Sequence, residues 1–62
     1  MTYEEAKKAF NDRSKVNHKG IEYKQINAII FRRNENEKII QLELQDVKSK
    51  SVTIAKAGDV SL

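Results

Sequence analysis

The residues predict a mostly β fold with one N-terminal α-helix. Two patterns carry that expectation. Residues 1–12 place their apolar side chains at helical spacing, and beyond Arg13 apolar and polar residues alternate in short runs. Composition adds a third observation. Eleven residues are Ile or Val, β-branched types that favour strands and that disordered chains lack, so a mean hydropathy of −0.70 does not imply disorder. The 62 residues are enough for one small domain, with the helix in 1–12 and antiparallel strands in 13–62.

Thr2 and Glu5 stand three apart, the spacing of a capping box, in which each side chain satisfies the other's free backbone N–H. Glu4 and Glu5 lie at the positive end of the helix dipole, and Lys7 and Lys8 lie towards the other end. Tyr3, Ala6, Ala9 and Phe10 share a face, and a helix this short must dock that stripe to persist. Asn11-Asp12 ends it. Lys15-Val16-Asn17 is a short strand, and His18-Lys19-Gly20 is a turn in which Gly20 can take a positive φ. Ile21 and Tyr23 are odd-numbered, whereas Ile26, Ala28 and Ile30 are even-numbered, so a long second strand slips phase at a bulge near Gln25. It ends in Ile29-Ile30-Phe31, with Ile29 and Phe31 on the face opposite Ile26, Ala28 and Ile30. The polar stretch from Arg32 to Glu37 reads as a hairpin loop. The third strand sets Ile40, Leu42 and Leu44 against Gln41, Glu43 and Gln45, with Ile39 breaking the polar face. Asp46 opens a turn completed by Lys48-Ser49-Lys50. Val52 and Ile54 form a fourth strand, Ala57-Gly58-Asp59 a tight turn, and Val60 and Leu62 a last short strand.

Short antiparallel strands with one long bent member predict a small antiparallel SH3-like barrel, the bent strand serving both sheets. Failing closure, the same elements give a helix packed on a three- to four-stranded antiparallel meander. The expected core is Phe10, Val16, Ile21, Ile26, Ile30, Ile40, Leu42, Leu44, Val52, Ile54 and Val60. In outline, a helix followed by a small five-stranded barrel resembles the Sm-like RNA-binding proteins. The run Ile40-Gln41-Leu42-Glu43-Leu44-Gln45-Asp46 is similar to that family's third strand, and Gly58-Asp59-Val60 to its closing segment. The chain departs from the family at Arg32-Arg33-Asn34-Glu35, where the family has Gly and Asp, and at Ala57, where it has a basic residue. No membership is drawn from the resemblance.

Several function classes are disfavoured. Without cysteine there is no disulfide framework and no thiolate metal site. No apolar run approaches the ~20 residues of a bilayer span, and no signal-peptide core is visible, so the expected location is the cytoplasm, with no membrane partner. The one histidine, His18, lies in a turn beside Lys19, a poor setting for a Ser-His-Asp unit. Two glycines cannot build a phosphate loop, and Asn34-Glu35-Asn36-Glu37 lacks the Gly and spaced Glu of a calcium loop. No catalytic residue, cofactor, metal or small-molecule substrate is expected.

Two binding roles remain. The first is an interaction or adaptor module for protein, either a second copy or another chain. Its candidate contacts are Ile29, Phe31 and Ile39, apolar at positions that the helix need not cover, and Leu62 on a free terminal edge. The alternative is nucleic acid. The pI is near 9.3, and residues 1–33 carry eight Lys or Arg against four acids, whereas residues 34–62 carry four against five. Lys7, Lys8, Arg13, Lys15, Lys19, Lys24, Arg32 and Arg33 are the candidate phosphate contacts, with Tyr23 a candidate stacking partner that alternation assigns to the core.

Overall fold

The computed structural model describes every residue, Met1–Leu62. The order is α1 (Tyr3–Asp12), β1 (Val16–His18), β2 (Ile21–Asn34), β3 (Glu37–Asp46), β4 (Val52–Lys56), one turn of 3-10 helix (Ala57–Asp59) and β5 (Val60–Ser61). No helix is long and apolar enough to cross a membrane. The capping box forms: Glu5 N–H donates to the Thr2 hydroxyl (3.2 Å) and Thr2 N–H to Glu5 Oε1 (2.8 Å). Arg13 ends α1 in the left-handed region (φ 54°), and the Ser14 N–H donates back to the Ala9 carbonyl at 3.0 Å.

All strand pairs are antiparallel, in the order β4-β3-β2-β1-β5. β1 to β4 are therefore a meander, and the chain returns to lay β5 on the far side of β1. Flat, that sheet would hold β4 and β5 about 19 Å apart, four spacings of ~4.8 Å. The three residues joining them cannot bridge this in a 3-10 turn rising ~2 Å per residue, so the sheet must roll up. It does not close into the SH3-like barrel, because β4 and β5 pair with β3 and β1 but not with each other. The Met1 nitrogen donates to the Ala57 and Val60 carbonyls (2.6 and 2.8 Å), at the two ends of the 3-10 turn.

The bulge expected near Gln25 is present, between Tyr23 and Gln25, and a second lies between Ile26 and Ala28. Residues directly opposed across a pair share a face. Ile26 opposes Leu44, Ile29 opposes Leu42 and Phe31 opposes Ile40, so all three lie on the inner face, and Ile30, opposite Gln41, lies outside. The extra residue at Asn27 thus reverses the expected facing of Ile29 and Ile30. Amide side chains pin it: Gln25 Nε2 donates to Asn27 Oδ1 (3.0 Å), and Asn27 Nδ2 donates to Gln45 Oε1 (2.8 Å). Gln45 Nε2 in turn holds the following loop through the Ser49 carbonyl (2.9 Å).

The core is Ala6, Ala9, Val16, Tyr23, Ile26, Leu42, Leu44, Ala55, Ala57 and Val60, with Met1, Ile29 and Ile40 packed against it. Five of the expected members, Phe10, Ile21, Ile30, Val52 and Ile54, lie elsewhere. The helix approaches the sheet closely on Ala6 and Ala9, which leaves no room beneath it for Phe10. Ile21 opposes His18 at the end of the β1–β2 hairpin, beyond the core. In β4 the facing is inverted. Thr53 opposes Leu44 and Ala55 opposes Leu42, so the smaller side chains enter the curled interior and Val52 and Ile54 point out. The loop expected over Arg32–Glu37 shrinks to Glu35-Asn36, with Glu35 at φ 55°. Solvent bathes the strand ends on both faces, so no apolar alternation reveals them.

Leu42 is fully buried at the centre of this core. Leu42→Ala is expected to cost about 3 kcal/mol in a urea melt, near the middle of the range for such truncations. Acid should also destabilise the fold. The Thr2 hydrogen bonds hold Glu5 below its ordinary 4.5, and the Ser49 hydroxyl and the Lys48 N–H hold Asp46 below 3.8. A carboxylate with a lowered folded pKa adds stability above its unfolded value and loses it as pH falls through the folded one. Stability is therefore expected to decline below pH 4.5, and the double variant Glu5→Gln/Asp46→Asn to decline less in melts across that range.

Candidate binding face

The paired part of β4 reaches only as far as Gln41 of β3, and β1 pairs with β2 only from Ile21 to Tyr23. Residues 31–34 and 37–40 are therefore a ribbon of two strands, and the molecule is elongated, 37 by 21 by 18 Å. The ribbon's inner face carries Phe31 opposite Ile40 and Arg33 opposite Lys38. Its outer face carries Arg32 opposite Ile39 and Asn34 opposite Glu37.

The helix runs antiparallel along β2. Tyr3, at its start, lies with its ring 5.4 Å from that of Phe31, the planes tilted by 59°. Phe10 and Arg13, at its end, line a shallow groove with Gln25, Ile26 and Asn27. Tyr3, Lys7 and Phe10 follow the i, i+4, i+7 line of one helix flank. Phe31, Tyr3 and Phe10 thus form a row, 66%, 36% and 39% exposed. Arg33 and Lys38 stand beyond one end, Lys7 within it, and Arg13 at the other end. The helix acids Glu4, Glu5 and Asp12 lie about 100° or more round the axis from Tyr3.

Arg33 and Lys38 have no carboxylate partner. The ion pairs of the molecule are Lys8–Asp12 (3.0 Å) and Lys15–Glu22 (3.9 Å), both exposed. Like charges directly opposed across strands cost stability, so this pair works against the fold that presents it.

The structure scatters the eight cations singled out by sequence. Lys7, Arg13 and Arg33 join the aromatic row. Lys8 turns to Asp12, and Lys15 to Glu22. Lys19 occupies the β1–β2 turn at φ 52°, and Lys24 lies at the first bulge, beside the Asp46–Lys50 loop. Arg32 points outward, its Nε donating to Gln41 Oε1 at 2.9 Å. Among the apolar candidates, Phe31 is on the inner face, Ile29 packs on the core, Ile39 shares the outer face with Arg32, and Leu62 is exposed next to β5. Tyr23 is buried, with its hydroxyl 3.4 Å from Thr53 Oγ1. Sequence reasoning missed Lys38, Tyr3 and Phe10 as surface groups. The helical i, i+4, i+7 spacing of Tyr3, Lys7 and Phe10 is the available signal, whereas grouping Tyr3 and Phe10 with Ala6 and Ala9 assigns both rings to the docked face.

Phe31 and Ile29 are two residues apart on the same face but differ in burial, which gives a direct check. Phe31→Ser should shift unfolding free energy by no more than about 1 kcal/mol. Ile29→Ser should cost several times as much, because it places a hydroxyl against the core. Chemical denaturation of the two variants reads the difference.

No protein-family model matches the chain, and no curated protein or solved structure matches it.

Proposed function

We propose that the chain is a small interaction module, without catalysis of its own, that engages its partner through the inner face of the ribbon and the adjoining helix flank. One observation carries this reading. Phe31 is 66% exposed on the same face as two unpaired cations. Fully burying such a side chain is worth about 1.5–3 kcal/mol, and the fold leaves most of that unrealised. The exposed apolar pair of β4 supports a partner surface less well. Val52 and Ile54 sit opposite Gln45 and Glu43, so polar side chains interrupt the outer face.

The test compares tagged wild type with Phe31→Ser/Arg33→Ser/Lys38→Ser, its fold verified by circular dichroism. Each is used to retain material from an extract of the producing cells, with and without nuclease. The wild type is expected to retain a defined component that the triple variant loses and that Val52→Ser/Ile54→Ser still retains. Equal retention by wild type and triple variant would overturn the assignment of this face.

A further inference from the structure

We infer that this face is a docking site for single-stranded nucleic acid, with bases stacking on the aromatic row and phosphates lying on the cations beside it; the inference rests on the assignment of the face made above. Three features point to that partner. The first is the alternation of chemistry. Arg33 and Lys38, then Phe31 and Tyr3, then Lys7, then Phe10 and Arg13 follow one another along the helix–β2 seam. A single strand repeats the same alternation, flat base and charged phosphate, and proteins that bind it without sequence preference combine aromatic platforms with a positive track.

The second feature is length. Tyr3 and Phe10 are seven residues apart, about 10.5 Å along the helix at 1.5 Å per residue, and Phe31 extends the row by the 5.4 Å between its ring and that of Tyr3. A few nucleotides would occupy it. The third is shape. The grooves at Phe10 and at Phe31 open to solvent and leave both rings exposed, which suits a planar base lying on a ring. A peptide anchor is normally gripped in a well-packed pocket instead. A duplex keeps its bases stacked on one another and offers these rings no free base face. The absence of acids from the row itself, in a chain of net charge +3, favours a polyanion over a neutral partner.

Fluorescence anisotropy with labelled single-stranded RNA and DNA of mixed sequence tests the inference. A DNA duplex and a poly-glutamate peptide serve as comparison probes. Wild type should bind the single strands more tightly than either comparison probe. Phe31→Ser should weaken binding roughly tenfold or more, the loss of one stacked base. Arg33→Ser/Lys38→Ser should flatten the slope of log affinity against log salt by about 0.7 per cation removed. Lys19→Asn/Lys56→Ser removes the same charge from the β1–β2 turn and the outer face of β4, away from the aromatic row, and should leave affinity within about threefold.

The inference is overturned if Phe31→Ser binds the oligonucleotides like wild type, or if Lys19→Asn/Lys56→Ser loses as much as Arg33→Ser/Lys38→Ser. It is overturned equally if the peptide outbinds the single strands. If oligonucleotides fail while the triple variant still loses a nuclease-resistant component, the nucleic-acid inference falls and the interaction face stands. If the triple variant retains everything, both fall.

Discussion

The two bulges in β2 are the constraint on which the rest of the molecule depends. Each inserts one unpaired residue, and together they change the side-chain phase twice within a few residues. The inner face then receives Tyr23, Ile26, Ile29 and Phe31 in a single strand. Bulges also bend the strand and increase its twist, which helps the sheet to curl far enough for three residues to join β4 to β5. The Gln25–Asn27–Gln45 amide chain ties the second bulge to β3 and onward to the Ser49 carbonyl.

Curling sets the size of what can be inside. Four of the ten core residues are alanines, two from the helix and two from the segment running from β4 into the 3-10 turn. Small side chains let the helix and the end of the sheet approach the Leu42–Leu44 centre. The larger apolar residues next to them are displaced to the flanks. Phe10 and Tyr3 therefore border the helix contact instead of filling it. Val52 and Ile54 face outward for the same reason, since Thr53 and Ala55 fit the interior and they do not.

The proposed binding face is a consequence of that packing. Aromatic rings excluded from the core are held at the seam between helix and β2, and the ribbon carries Phe31 and two opposed cations beyond the body of the sheet. Rigid secondary structure, not a loop, positions every member except Arg13, whose left-handed conformation caps the helix. The backbone beneath such a surface is pre-organised, so the ordering cost of binding would fall mainly on the lysine and arginine side chains.

Local chemistry alone determined the helix and its ends, because Thr2, Glu5 and the alternation that begins after Arg13 act through neighbours in the chain. It also determined the β1–β2 turn, the strand Ile40–Gln45, the first bulge and five core members: Val16, Ile26, Leu42, Leu44 and Val60. The second bulge was not legible, because Ile29-Ile30-Phe31 is apolar in either phase and only pairing with β3 selects one. The inward facing of β4 was hidden because apolar alternation identifies Val52 and Ile54 as a pair without saying how much space the curled interior leaves them. The ribbon was hidden because solvent on both faces removes the periodicity that marks a strand. The candidate site was legible in part. Lys7, Arg13, Arg33 and Phe31 could be named from residue type, but their union with Tyr3, Phe10 and Lys38 required the helix to lie along β2. That placement is set by contacts between residues far apart in the chain, and only the tertiary structure supplies them.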